Sequence, residues 1–154
     1  MRPAALTEEE GSQEGESRKA RSTSTWWSST EAAGEAFCCM RFEGFSFGSI
    51  RINGISYDHD VVIDRGEVLR RKKKPSKKFR DEFGHTPLSI EETIPWKCRC
   101  LVVGTGMGAL PVMEAVKREA KCRNVELLIF PTVQAIEILK EKRAEANAIL
   151  HVTC

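Results

Sequence analysis

Apolar and polar positions alternate from residue 45 onward, and this pattern predicts β-strands in the first part of the patterned region. Residues 45–52 alternate on both sides of Gly48, which indicates one strand that a bulge interrupts. Asn53-Gly54 is typical of a tight hairpin turn, and the β-branched residues within 55–63 predict the returning strand. A further turn follows at residues 64–66. This half of the chain therefore predicts antiparallel strands.

From residue 98 the pattern alternates between short apolar runs and helical stripes. The predicted order is a strand at 98–103, a helix at 111–122, a strand at 125–130, a helix that Thr132 caps, and a strand at 148–152. The helical stripes consist of Val112, Val116 and Ala120 in the first helix, and Ala135, Ile136, Leu139 and Arg143 in the second. Strands that alternate with helices in this way predict a βαβαβ unit.

A third, shorter helix is predicted between the two halves. Ser89-Ile90-Glu91-Glu92 has the form of a capping box, in which a serine hydroxyl accepts a hydrogen bond from the amide three residues later. Pro95 is expected to end this helix after about one turn.

Residues 1–39 have neither helical nor strand periodicity and predict a disordered tail, so the folded domain is expected at residues 40–154. Trp26 and Trp27 are the large apolar side chains of this tail. They are interpreted either as a docking site for a partner or as exposed residues without a role. Met40 stands immediately before the first patterned segment. A second hypothesis is therefore that the native chain begins at Met40 and that the tail is an artefact of start-site choice.

Composition narrows the class of protein. The 154 residues are 41% hydrophobic, enough for one packed core, and no stretch approaches the roughly 20 apolar residues of a membrane helix. Without a secretory signal pattern, the expectation is an intracellular, cytoplasmic protein. The six cysteines are expected as reduced thiols, because neither a disulfide scaffold nor paired zinc-ligand spacing is indicated.

Several segments together resemble the Mth938-like domain family over residues 45–154. They are YDHDVVI, RRKKKPSKK, LVVGTGMGALPV, FPTVQAIE and ILHVTC, of which the last three are the most specific. The resemblance implies an α/β fold: a compact three-layer domain with a mixed sheet, an N-terminal antiparallel hairpin and the C-terminal βαβαβ unit. The family includes a mitochondrial complex I assembly factor and an adipogenesis-associated protein, and it offers no established catalytic residues to transfer to this chain.

A glycine-rich loop is the first candidate site. Gly104, Thr105, Gly106, Met107 and Gly108 stand between a predicted strand and a helix, where backbone amides can converge on an anion. The loop is not a dinucleotide fingerprint, because Ala109 stands where the third glycine would be needed and no acidic residue follows at the end of a second strand. The alternative is that the glycines only permit a tight turn and close helix packing.

His151 and Thr153 are candidates to extend this ligand site. They share one face at the end of the last strand, and a parallel sheet would bring them to the edge that holds the glycine loop. An antiparallel last strand would place His151 at the wrong end. The alternative is that His151 is a packing residue with its hydrogen bonds satisfied.

A basic run is the strongest electrostatic feature. Residues 65–80 contain nine basic residues against Glu67, a net charge of +8, whereas residues 1–39 have a net charge of −3. The candidate partner-binding residues are Arg70, Arg71, Lys72, Lys73, Lys74, Lys77 and Lys78. The run favours either a solvated loop, docking of an acidic partner, or nucleic-acid binding, which steep salt dependence would reveal.

Other polar groups are interpreted as structural. Asp58 and Asp60 share one strand face and His59 lies on the other, so this segment alone does not form a metal site. Cys98 and Cys100 are expected as small core residues, and Cys154, next to the terminal carboxylate, is an improbable nucleophile.

These observations favour a non-enzymatic interaction or assembly module that binds a protein partner or forms a homo-oligomer. No catalytic residue, metal or cofactor is indicated, because no acid/base or nucleophile constellation is complete. The alternative is a small anionic ligand binder or enzyme that uses residues 104–108. A further alternative is non-specific nucleic-acid binding through residues 70–80.

Overall fold

A computed structural model describes residues 40–142 and 144–153. The strands are β1 (Phe42–Ser46), β2 (Ser49–Ile52), β3 (Ile55–Tyr57), β4 (Val61–Asp64), β5 (Glu67–Arg70), β6 (Cys100–Gly104), β7 (Glu126–Phe130) and β8 (Ala146–Leu150). The α-helices are α1 (Arg80–Phe83), α2 (Glu114–Cys122) and α3 (Thr132–Glu141), and a 3-10 helix at Pro75–Phe79 precedes α1. The predictions for residues 1–39, Trp26 and Trp27, Arg143 and Cys154 fall outside the described residues.

The first three strands form an antiparallel sheet in the order β1-β2-β3. The prediction of one bulged strand at residues 45–52 is wrong, because the chain reverses at Phe47-Gly48 and forms two strands. Gly48 has a φ of +84°, which a residue with a side chain rarely adopts and which permits this reversal. The Asn53-Gly54 turn is confirmed: both residues have positive φ, as a two-residue hairpin between β2 and β3 requires.

The predicted single strand at residues 55–63 is also wrong. β3 ends at Tyr57 and belongs to the first sheet, whereas β4 begins at Val61 and belongs to the second. Residues 58–60 carry the chain between the sheets. This break turns Asp60 into the interior, with 3% of its surface exposed, while Asp58 remains at the surface.

The second sheet is mixed and has the order β5-β4-β8-β6-β7. β6 pairs in parallel with both β7 and β8, whereas β4 is antiparallel to β8 and β5. The predicted βαβαβ unit is therefore confirmed, and the last strand runs parallel to its neighbour β6. As a result, the carboxyl ends of β6, β7 and β8 lie at one edge of this sheet.

Side chains of the second sheet alternate between two hydrophobic cores, as the period of two in a strand requires. One core joins Ile63, Val102 and Leu150 to the first sheet and α3. The other joins Leu101, Val103 and Ile149 to α2 and the segment around Leu88 and Ile94. The domain is therefore three layers deep, in agreement with the predicted fold class.

The two long helices keep their predicted stripes with small changes at their ends. Val116 and Ala120 of α2 are buried, and Val112 is buried just before the helix, which begins at Glu114 rather than at residue 111. In α3, Ala135, Ile136 and Leu139 are buried. α2 and α3 cover opposite faces of the sheet, and each connects two parallel strands.

Candidate functional site

Two candidate sites predicted from the sequence meet at the carboxyl edge of the second sheet. One is the glycine loop with His151 and Thr153, and the other is the basic run. The His151 amide donates to the Gly104 carbonyl (2.8 Å), so the residue after β8 lies beside the glycine loop. The Lys73 ammonium lies 3.2 Å from the Thr153 hydroxyl, so the basic run reaches the same edge. Nothing in the sequence indicates that these two groups are neighbours, because 80 residues separate Lys73 from Thr153.

The first amides of the glycine loop donate to the protein itself. The Thr105 amide donates to the Phe130 carbonyl (2.8 Å), and the Gly106 amide donates to the Thr132 hydroxyl (2.9 Å). The Thr105 hydroxyl donates across the loop to the Gly108 carbonyl (2.6 Å). An anion at this loop would have to compete with these internal bonds for the Thr105 and Gly106 amides.

Thr132 fills the crevice between the ends of β6 and β8. This is where the strand order reverses, the position at which open α/β sheets usually bind their ligands. The Thr132 hydroxyl accepts from Gly106 and donates to the His151 carbonyl (2.8 Å), and Thr132 is fully buried. Thr132 was predicted as the N-cap of its helix, but it is the first residue of α3, and Pro131 is the N-cap residue, without a side-chain cap bond. The hydroxyl joins the loop to the last strand instead.

The three loop glycines have different roles. A Cβ atom at Gly104 would lie 2.8 Å from both Leu150 Cδ2 and Thr132 Oγ1, so this residue is required by packing. Gly106 has a φ of +94°, which favours glycine. A Cβ atom at Gly108 would meet nothing within 4 Å, and Met107 is 59% exposed. Gly104 thus permits close packing and Gly106 permits the turn, while residues 107–108 form the outward part of the loop.

Arg71 differs from the rest of the basic run, because it is buried. Its Nε and Nη2 donate to the two carboxylate oxygens of Glu92, both at 2.7 Å, and Nη2 also donates to the Pro87 carbonyl (3.2 Å). Its Nη1 donates to Nε2 of His151 (2.7 Å) and lies 3.3 Å from Asp60 Oδ2. Arg71 therefore joins three separate segments of the chain below the surface.

Asp60 holds the segment that follows β8. Its Oδ1 accepts from the amides of Val152 (2.8 Å) and Thr153 (3.2 Å), and its Oδ2 accepts from the Lys73 ammonium (3.0 Å). Burial alone would raise the pKa of Asp60, but the hydrogen bond from the Val152 amide and the ion pair with the Lys73 ammonium outweigh burial and hold this pKa well below its usual range. Asp60 is therefore a carboxylate at neutral pH.

His151 is a neutral acceptor in this cluster. Burial and the neighbouring Arg71 guanidinium lower the pKa of His151 to about 3, despite the opposing influence of Asp60. A neutral ring is also what the Arg71 bond requires, since a guanidinium can only donate. His151 was predicted to line a polar pocket, but only 2% of its surface is exposed.

Two serines complete the cluster and correct a predicted helix. No helix begins at Ser89: the residues from Ser89 to Glu92 form a turn, in which the Glu92 amide donates to the Ser89 carbonyl (3.2 Å). The Ser89 hydroxyl bonds instead to the Ser76 hydroxyl (2.8 Å), which in turn donates to Glu92. The capping-box pattern was misleading because both side chains have tertiary partners. We call Asp60, Arg71, Ser76, Ser89, Glu92 and His151 the buried polar cluster.

The other bases between residues 70 and 80 lie at or near the surface. Lys73 and Lys78 are paired with Asp60 and with Glu91 (2.6 Å), and Lys78 also lies 5.0 Å from the centre of the Phe79 ring. Five further bases are exposed and make no ion pair with another described residue: Arg70, Lys72, Lys74, Lys77 and Arg80. We call these five residues the basic surface.

The chemistry of the buried polar cluster is that of a structural connection. Within residues 40–142 and 144–153, every buried side-chain nitrogen and oxygen has a hydrogen-bond partner. The same residues contain no group of three histidines, cysteines or acids that could hold a metal ion. The buried charges neutralise one another through these bonds, and the cluster thereby attaches the basic segment to the sheet.

Two of the described thiols, Cys98 and Cys100, are poorly suited to nucleophilic chemistry. Cys98, Cys100 and Cys122 are free. Burial raises the pKa of Cys98, and burial together with Glu126 raises the pKa of Cys100 to about 11. The segment at residues 58–60 is likewise divided. Asp58 bonds to the His59 ring (2.9 Å) at the surface, whereas Asp60 is buried.

Comparison with known proteins establishes the family. The family model described as "Protein of unknown function (DUF498/DUF598)" matches residues 42–151. The chain belongs to this family. Its solved relatives show that this is the Mth938-like domain family, as the resemblance from the sequence predicted. No curated protein matches the chain.

Three solved structures illustrate the relationship. The conserved hypothetical protein PH1505 from Pyrococcus horikoshii is 32% identical, with a TM-score of 0.64, and the match covers 75% of this chain and 100% of that one. The protein MT938 is 27% identical, with a TM-score of 0.56 and coverage of 75% and 99%. A Mth938-like domain from Bordetella pertussis shares the fold at 16% identity and a TM-score of 0.51, with coverage of 77% and 87%.

The described part of this Mth938-like protein contains no helix that is both long enough and apolar enough to cross a membrane. These relatives, together with the family model, establish the fold and the family of this chain.

Proposed function

We propose that this Mth938-like protein is a non-enzymatic binding module that holds an acidic protein segment on its basic surface. One observation carries the proposal: five exposed cations that make no ion pair with any described residue stand on a segment that is fixed to the core. Arg71 and Ser76 fix this segment, through Glu92 and the buried polar cluster.

Fixation matters because it reduces the entropy cost of binding. A flexible lysine-rich loop loses conformational freedom when it meets a partner, whereas a segment that is already ordered loses less. The 3-10 helix at Pro75–Phe79 and the bond from the Arg71 amide to the Asp60 carbonyl (2.9 Å) order this segment. Exposed like charges also speed association with an acidic partner through long-range attraction.

A nucleic acid is a weaker fit to the same surface. Binding of single strands usually combines cations with aromatic side chains on which bases stack. Phe79 is the aromatic residue of the run, and it is partly buried under Lys78. The basic surface therefore offers charge without a stacking platform, which favours an acidic protein segment.

The test is a binding titration with a fluorescein-labelled polyglutamate peptide and, separately, with a DNA oligonucleotide of equal charge. We expect the peptide to bind at low salt and the Lys72→Glu, Lys74→Glu, Lys77→Glu triple variant to lose this binding. Lys73 is left unchanged because it bonds to Asp60. The matched control reverses Arg41, Arg118 and Lys121, which are exposed residues outside the basic surface, and reaches the same net charge.

The outcomes are distinct. Loss of peptide binding in the first variant but not in the control supports the proposal. Equal loss in both variants would indicate attraction to net charge alone and would overturn it, as would tighter binding of the oligonucleotide than of the peptide. Circular dichroism melting curves of both variants show that the fold is intact.

A further inference from the structure

A cavity lies between the β4–β5 hairpin and the loop that follows Ile94, at the outer edge of the second sheet. Its volume is about 340 Å³, within the range of clefts that hold small molecules. Its apolar lining includes Val62 and Ile94, which are buried, and Trp96, which is partly buried. Leu69 of the edge strand β5 also lines it with 42% of its surface exposed. We call this feature the Trp96 cavity.

The rim of the Trp96 cavity is cationic. Arg65, Lys97 and Arg123 line it, together with one acid, Asp64. Asp64 already accepts from Arg65 Nε (3.2 Å) and from Asn147 Nδ2 (3.2 Å), so it and Arg65 neutralise each other. Asp64 therefore does not cancel the charge of the other two bases.

The two remaining bases differ in their freedom. Arg123 donates through Nε to Glu119 (2.7 Å), and its guanidinium carbon lies 5.5 Å from the centre of the Trp96 ring. Lys97 is exposed and makes no ion pair with any described residue. One cation next to an apolar lining thus remains available to a ligand.

One buried amide side chain holds both walls of the cavity. Asn147 of β8 is 2% exposed and donates through Nδ2 to the Pro95 carbonyl (2.9 Å), which fixes the loop that carries Trp96. Its Oδ1 accepts from the Arg65 amide (2.8 Å), which fixes the β4–β5 turn. The cavity is therefore preorganised, a property that reduces the cost of ligand binding.

We propose that the Trp96 cavity binds a small amphipathic carboxylate. The apolar body of the ligand lies against Trp96 and Leu69, and its carboxylate pairs with the Lys97 ammonium. A neutral apolar ligand would gain no ionic contact, and a cationic ligand would be repelled by Arg123 and Lys97. The proposal uses none of the residues of the basic surface and does not depend on the function proposed for it.

Tryptophan fluorescence provides a direct test. The chain contains three tryptophans, so a Trp26→Phe, Trp27→Phe background leaves Trp96 as the single reporter. Sodium decanoate is titrated below its micelle concentration, with decanol and decylammonium as ligands of the same length and different charge. We expect saturable binding of decanoate, with decanol and decylammonium weaker by about tenfold or more, the effect of one lost ionic contact of about 1.4 kcal/mol.

Variants separate this site from general adsorption. Lys97→Glu and Leu69→Asp, both at exposed positions, should each weaken decanoate binding by about tenfold, whereas Lys77→Glu on the basic surface should leave it unchanged. Lys97→Ala is the milder second variant should Lys97→Glu fail to fold.

The proposal is overturned if decanoate causes no saturable change, if decanol binds as tightly as decanoate, or if both Lys97 variants bind decanoate as well as the unchanged protein. Lys77 lies on the basic surface and not in the Trp96 cavity. If the Lys77→Glu variant still binds decanoate, the cavity proposal is supported even if the polyglutamate experiment fails.

Discussion

Arg71 joins the basic segment, the loop around Glu92 and the end of β8, and each of these connections is buried. Its guanidinium bonds to Glu92 in a bidentate manner and also reaches His151 and Asp60. A buried ion pair of this kind adds little net stability relative to an apolar replacement of the whole group, but the loss of one partner leaves the others as uncompensated charges. The stability of the domain should therefore be unusually sensitive to this residue.

We predict that Arg71→Met lowers the free energy of unfolding by about 3–5 kcal/mol, because Asp60 and Glu92 stay buried without their cation. Urea unfolding followed by circular dichroism measures this change. The matched control is Arg70→Met, the exposed neighbour in the same run, for which a change within about 0.5 kcal/mol is expected. Equal effects of the two substitutions would show that the cluster is less important than its geometry indicates.

His151 predicts a characteristic acid sensitivity. Burial and Arg71 lower the pKa of His151 from 6.5 to about 3, so the unfolded state binds its proton more readily than the folded state. The part of the free energy of unfolding that depends on a neutral His151 is fully present above about pH 6.5 and is lost as the pH falls toward 3. Asp60, with its own lowered pKa, adds a loss below about pH 4.

Urea unfolding at a series of pH values tests this prediction. The free energy of unfolding should fall between about pH 6.5 and 4.5, above the range of most carboxylates, and His151→Gln should remove most of this slope. His59→Gln, on the surface beside Asp58, is the control and should retain the slope. A flat profile in the unchanged protein would contradict the lowered pKa.

At the residue scale, the sequence predicted where some residues lie in the sheet but not which distant residues they contact. His151 and Thr153 do lie at the edge with the glycine loop, as a parallel last strand requires. Arg71 was grouped with the partner-binding bases and Glu92 with a capping box, and their burial and pairing were not predicted, because nothing in the local pattern distinguishes Arg71 from Arg70. Their pairing depends on a contact across 21 residues, which no short-range periodicity reports.

The glycine loop shows how one element divides its positions between packing and exposure. Gly104 lies at the end of β6, where a Cβ atom would collide with Leu150 and with Thr132, the first residue of α3. Gly108, four residues later, stands in open space. The two positions form a matched pair in one loop.

We predict that Gly104→Ala destabilises the domain by about 1–3 kcal/mol, the usual range for overpacking, while Gly108→Ala changes stability by less than about 0.5 kcal/mol. Thermal and urea unfolding of the two variants measure the difference. A small effect at Gly104 would mean that Leu150 and Thr132 can move aside, and would weaken the packing interpretation of the loop.

The elements that the sequence predicted well are those with a continuous apolar signal. β6 and β7 are short apolar runs, and α2 and α3 carry apolar stripes with a helical period. The pattern of apolar residues is therefore sufficient to predict these four elements. The turn at Ser89 and the break at residues 58–60 were mispredicted for a shared reason. In both places a polar side chain that is typical of a cap or strand face finds its partner in a distant segment.

On the scale of the whole molecule, charge is divided between an interior that is neutralised and a surface that is not. Arg71 and Lys73 are compensated by Glu92 and Asp60, and the five residues of the basic surface have no such compensation among the described residues. Salt acts differently on these two populations. Exposed charges are screened strongly, whereas buried pairs are screened little.

Because of this difference, salt should affect partner binding more strongly than it affects the stability of the fold. When sodium chloride is raised from about 0.1 M to about 1 M, the screening length falls from about 10 Å to about 3 Å. We expect the affinity for polyglutamate to fall by about tenfold or more, while the free energy of unfolding changes by less than about 1 kcal/mol. Fluorescence anisotropy and urea unfolding in the same buffers give both quantities. If stability fell in parallel with affinity, the buried polar cluster would be open to solvent, and the fixed segment on which the proposed function rests would not exist.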